Sequence, residues 1–130
     1  VTKSKKIFVG RYAMCKGNVK VYLNPEDESS YAFHTWTKDS GFCCVCEVGC
    51  KEKEWNQIVR KLMHELVESA AVAEKVHFQP SGILSPVPED SYLMVMTHPQ
   101  FTQVVDEAGD ALAYALPDME KAWKKWKKEK

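Results

Sequence analysis

The sequence lacks any apolar run near the roughly 18–20 residues that a membrane-crossing helix requires. Its apolar runs are short, such as residues 42–46 and 93–96. The basic start, Val1-Thr2-Lys3-Ser4-Lys5-Lys6, is not followed by the hydrophobic stretch of a signal peptide. Secretion is therefore not expected unless a leader has been removed. No internal repeat and no long low-complexity segment is present, which sets aside solenoids. Cysteine is not spread as a disulfide framework would need. There are five, an odd number, and four fall between Cys43 and Cys50. Reduced thiols and a cytoplasmic setting follow as expectations.

Net charge is also lacking, with 18 Lys and Arg against 18 Asp and Glu, but its distribution is uneven. Residues 1–20 hold six basic residues and no acid, and residues 121–130 hold six Lys and one Glu. Residues 21–120 hold six basic residues against 17 acids, a balance of −11. An acidic body with basic ends is not expected to bind nucleic acid through the body. Either end can meet an acidic partner or remain solvated.

What is present is the pattern of one α+β domain spanning residues 1–130. Residues 6–14 and 19–23 read as two strands joined at the turn signal Lys16-Gly17-Asn18. Residues 31–37 form a third strand, with Tyr31, Phe33 and Thr35 on one face and Ala32, His34 and Trp36 on the other. Residues 42–48 form a fourth. The central helix, about 52–75, carries Trp55, Ile58, Val59, Leu62, Met63, Leu66, Val67 and Ala70 as one apolar stripe. A linker with four prolines or glycines covers 79–90. Residues 92–96, apolar on both faces, are expected as a fifth strand interior to the antiparallel sheet. Thr97 or His98 then caps a second helix with Pro99 in its first turn. Pro117 predicts a break before a final basic helix over 118–128.

Four constellations can carry chemistry. In His64-Glu65-Leu66-Val67-Glu68, a helical wheel sets His64 and Glu68 one turn apart, opposite the stripe, with Glu65 on its flank. Side chains at i and i+4 can grip one metal ion, and a carboxylate beside the first ligand can serve as general base. The same face is also where solvated polar residues ordinarily stand. Cys43, Cys44, Cys46 and Cys50 carry thiolate chemistry only if four converge. Strand alternation puts Cys43 opposite the others, so core packing is the expected role. Asp106, Glu107 and Asp110 are either a further carboxylate group near His98 or a solvated acidic face. Met119, Trp123 and Trp126 share a helical face ringed by lysines, which either docks on the domain or meets a partner or an anionic membrane.

The HExxE segment, with residues 58–63 before it, resembles the active-site helix of zincin-type metallopeptidases. The order of antiparallel strands followed by this helix is zincin-like too. The family pattern has His where this chain has Glu68. The resemblance implies zinc as cofactor, His64 as a ligand, Glu65 as general base and Glu68 as a substituted ligand. A third ligand must come from downstream, His98 first and His77 second. The chain is also similar in character to small bacteriophage proteins, which implies the host cytoplasm. Two functions from different classes follow as expectations: a zincin-like metal-dependent hydrolase, or a non-catalytic interaction protein that binds or inhibits a host protein.

Overall fold

A computed structural model describes residues 6–39, 41–78 and 93–129. Four strands, β1 (Ile7–Met14), β2 (Gly17–Asn24), β3 (Tyr31–Thr37) and β4 (Gly41–Gly49), form one sheet in the order β1-β2-β4-β3. Two helices, α1 (Trp55–Ala73) and α2 (His98–Glu129), pack on one side of it. The fold is α+β, with a mixed sheet rather than the wholly antiparallel one expected: β1–β2 and β3–β4 are antiparallel hairpins, but β2 and β4 run parallel, Asn18 opposite Cys43 through Asn24 opposite Gly49.

The physical reason lies in how the strands are sorted by apolarity. Phe42, Cys44, Cys46 and Val48 of β4 are at most 1% exposed, as are Val19, Val21 and Leu23 of β2. The two most apolar inner faces take the two central places, and β4 inserts between β2 and β3. The second strands of the two hairpins then lie side by side and point the same way. Cys15 and Lys16 make the first turn, both with positive φ (53° and 59°), as a two-residue hairpin of the primed type requires. That turn comes one residue earlier than the sequence signal suggests. Gly17 instead opens β2, because a Cβ there would stand 1.7 Å from the Phe42 carbonyl oxygen.

Helix α1 begins after Glu54, whose backbone N–H donates to Gln57 Oε1 (2.8 Å) in a capping box. It ends at Glu74, with Lys75 at φ 60° and the Val76 N–H returning to the Ala71 carbonyl (3.0 Å). Ile58, Leu62, Leu66 and Ala70 are fully buried, and α1 covers β3 and β4 while α2 covers β1 and β2. Complete burial of such a side chain is worth roughly 1.5–3 kcal/mol.

Two further expectations are corrected. The late strand does not join the main sheet: β6 (Leu93–Met94) pairs with β5 (His77–Phe78) as a separate two-stranded ribbon. Met94 and the adjoining Val95 are exposed, so apolarity on both faces did not place it inside. The linker over 79–90 and residue 92 lie outside the described residues. Pro117 does not break α2, which runs 32 residues through it. Pro117 and Ala113, whose carbonyl loses its donor, are both exposed, while Ala115 and Met119 on the packed side are fully buried. Packing of that side outweighs one missing solvent-side hydrogen bond.

Candidate functional site

On α1 the His64 Nε2 stands 3.0 Å from Glu68 Oε2, the i,i+4 neighbourhood read from the sequence. The His64 side chain is 68% exposed and that of Glu68 27%. Glu65 is not on an open flank: it is buried, at 8% exposure. The wheel assumed one covering layer, but α1 is covered by the sheet and by α2, so its buried arc is wider. Glu65 has no hydrogen-bond or ion-pair partner among the described residues. Burial pushes its carboxyl up; His64 opposes this, Glu68 adds to it and Lys61 opposes it. A cleft of about 460 Å³ opens beside it, lined by Lys53, Arg60 and Lys61 with Ser30, Gln57 and His64.

His98 is not brought to this helix face by a sheet strand. It is the exposed first residue of α2, and its carbonyl accepts from Thr102 Oγ1 at 3.1 Å. Thr97 is the cap, with its Oγ1 accepting from the Gln100 N–H (3.3 Å) and its own N–H donating to Gln100 Oε1 (2.8 Å). Met94, with Met63 and Val67, borders His64 and Glu68 on their other side. His77 is on β5, and its side chain lies outside those described. Among the described residues no three His, Cys, Asp or Glu side chains stand together as a metal-holding group. The donors present beside one another are thus the pair His64 and Glu68, one short of the three that a catalytic zinc site draws from protein.

The other constellations have structural roles. Cys44, Cys46 and Cys50 are buried in the core, and Cys43 faces the opposite side of β4. Burial raises the Cys44 and Cys46 thiols, and it pushes Cys15 up to about 12, so none of these is a poised nucleophile. Cys44 Sγ donates to Ser69 Oγ (3.4 Å), which also meets His34 Nε2 at 2.9 Å. Asp106 and Asp110 are exposed, whereas Glu107 accepts from the Cys15 N–H (2.6 Å) and ties α2 to the first hairpin turn. Tyr12 adds a second tie, donating to Asp118 Oδ2 at 2.8 Å. Trp123 docks on the domain, stacked on Trp55 with ring centroids 5.5 Å apart and Lys127 Nζ 4.5 Å above it.

The face of the sheet turned away from the helices is a feature sequence reasoning did not single out. The pairing register lays it out in rows across the four strands. Phe8, Tyr22, Glu47 and Tyr31 form one row, and Arg11, Lys20, Val45 and Phe33 the next. Phe8 is 55% exposed, Phe33 64% and Val45 38%. The rings of Phe8 and Tyr22 lie 5.3 Å apart, as do those of Tyr31 and Phe33. Glu47 belongs to this face but is only 2% exposed, because Lys6 Nζ lies over it at 2.6 Å from Oε1. Burial pushes its carboxyl up, but hydrogen bonds from Lys6, Tyr31 and Asn24 outweigh that and hold it below its ordinary range. The alternation that separates Tyr31, Phe33 and Thr35 from Ala32, His34 and Trp36 was legible. Which set faces inward was not, because both contain aromatics.

No helix among the described residues is long and apolar enough to cross a membrane. Comparison of the chain with protein-family models, with curated proteins and with solved structures finds no match.

Proposed function

We propose that this chain is a non-catalytic binding protein that engages its partner through the outer face of the sheet. One observation carries the reading: Phe8, Val45 and Phe33 stand exposed in adjacent rows, beside Tyr22 and Tyr31, on a face that no described element covers. Phe8, Phe33 and Val45 contribute little to the core, and exposed apolar surface gathered in one place marks an interaction site more often than scattered residues do. Aromatic side chains supply large contact area at low entropic cost, which suits a recognition surface. A photo-reactive side chain in place of Phe33 tests this in a bacterial extract, the setting the phage resemblance implies. A specific crosslink from position 33, absent when the same group replaces the exposed Tyr114 on α2, is the expected result. Equal labelling, or none, at the two positions removes the reading.

A second reading, the zincin-like hydrolase, is favoured by Glu65: a buried carboxyl without a partner, raised by its surroundings, next to the His64–Glu68 pair. Desolvation of this kind tunes a carboxylate towards general-base work. Elemental analysis after dialysis against zinc tests it. About one zinc per chain, lost in His64→Ala and kept in Cys44→Ala, supports the reading. Zinc retained equally by both variants, or by neither and not by the parent, ends it.

A further inference from the structure

We infer that the outer face of the sheet is a platform for single-stranded nucleic acid; this names the partner of the binding reading above and rests on it. The face offers two kinds of group in adjacent rows. Phe8 and Tyr22 present rings on the first hairpin and Tyr31 and Phe33 on the second, with Glu47 and Val45 between the pairs, and Arg11 and Lys20 stand in the row next to Phe8 and Tyr22. Nucleic-acid bases stack on such rings whatever their identity, because every base has a π-face, and cations beside the rings follow the phosphates. Strands lie about 4.8 Å apart, so the four span ~14 Å, room for two or three bases.

The charges point to a polyanion. Arg11 is directly opposite Lys20 across the β1–β2 ladder. Like charges in that position oppose strand pairing, and a phosphate lying over both relieves the repulsion. The acid of the face, Glu47, is covered and neutralised by Lys6. Lys16 and Lys38 lie at the two hairpin turns, Lys38 next to Asp39 in sequence. The acids Glu26, Asp27 and Glu28 lie in the loop at the other end, past the row of Phe8. A bound strand therefore runs over Arg11 and Lys20 and away from that loop. The balance of −11 over residues 21–120 hides this, because Lys6, Arg11 and Lys20 all precede residue 21 and stand on the outer face of the sheet. An apolar protein surface is the poorer fit, since it would leave Arg11 and Lys20 facing each other unpaired.

Fluorescence anisotropy of labelled ten-residue oligo-uridine and oligo-thymidine with the full chain is the test. Binding is expected at 50 mM salt, weaker at 200 mM, with single strands preferred to a duplex of the same length about tenfold or more. Phe33→Ala should weaken binding by about tenfold while leaving the melting curve in place, since stacking carries that order of effect per base. Arg11→Gln with Lys20→Gln should flatten the logarithmic salt slope by about 1.4, that is, ~0.7 for each single-strand phosphate that is no longer neutralised. Lys124→Gln with Lys128→Gln, on the basic end of α2, should change affinity less than about twofold. If affinity follows those two lysines and ignores Phe33, Arg11 and Lys20, the proposal is overturned. Failure of both oligonucleotides to bind at 50 mM salt overturns it as well. A crosslink at position 33 that survives nuclease treatment and holds a protein then leaves the broader binding reading standing.

Discussion

On β4 the inner residues Phe42, Cys44, Cys46 and Val48 are at most 1% exposed, while Val45, between two of them, is 38% exposed. The same strand thus carries a core face and a bare face, separated only by the alternation of side chains. On the inner side, helices α1 and α2 complete the burial, and cysteine, valine and leucine are sufficient. On the outer side no described element lies across, and the side chains are larger, more aromatic and interleaved with cations. Burial on a strand is set by what lies opposite, not by how apolar the residue is. The inner face therefore determines whether the chain folds, and the outer face is the one proposed to meet a partner.

The sharpest way to break that comparison is to damage each face and measure stability. Leu62→Ala, on the helix surface that covers the inner face, should cost about 2–5 kcal/mol in urea or thermal unfolding, because the residue is fully buried. A loss under about 1 kcal/mol would contradict the packing described. Gly17→Ala tests the parallel seam: the added methyl meets the Phe42 backbone, and the expected loss is about 1–3 kcal/mol. An unaltered melt would mean that β2 and β4 do not approach so closely.

Two buried acids sharpen the contrast through pH. Glu47 on the outer face is held below its ordinary 4.5, so the folded state binds its proton less readily than the unfolded chain. Its contribution is complete above the unfolded value and is lost as pH falls through the folded one. Glu65 under α1 is displaced upward, so its ionised form lowers stability at pH 7. That penalty disappears as pH falls through the folded value to below the unfolded one. Glu47→Gln should therefore lower the melting temperature at pH 7, and Glu65→Gln should raise it. The ionisation part of both differences should shrink as pH falls through these ranges. Shifts of the same sign at pH 7 would refute the assignment. The smallest effect belongs to Phe33→Ala, which should leave stability within about 0.5 kcal/mol because the ring is mostly exposed. A larger loss would make Phe33 a core residue and remove the distinction between the faces.

Much of this architecture is legible in the residues, for reasons that are local. Period-2 alternation marks β2 and the two faces of β3, apolar runs between turn signals mark β1 and β4, and the stripe of Ile58, Leu62 and Leu66 marks α1. Strand order is not local. The parallel pairing of β2 with β4 depends on which inner faces are most apolar together, and neither hairpin reveals that alone. The late strand was misplaced because an apolar pair such as Leu93-Met94 reads alike in a sheet interior and in a short ribbon. At the candidate site, the His64–Glu68 neighbourhood follows from helical spacing, whereas the burial of Glu65 depends on a second covering element that a wheel does not contain. His98 does not complete a three-donor group with His64 and Glu68, although Met94 of the late strand borders both. Pro117 illustrates the converse: a strong local signal for a break yields to packing at Ala115 and Met119.

The tie between Tyr12 and Asp118 joins residues 106 positions apart. During synthesis the first hairpin leaves the ribosome early, and the helix that covers it leaves last among the described elements. In that interval Tyr12, Val19 and Val21 have no roof, although the hairpin itself is complete. Non-local closure of this kind slows folding and prolongs the time in which a strand surface is open to wrong partners. Shortening α2 from its C-terminal end past Asp118 should therefore first appear as aggregation of nascent chains, with Trp123 already missing from its stack on Trp55.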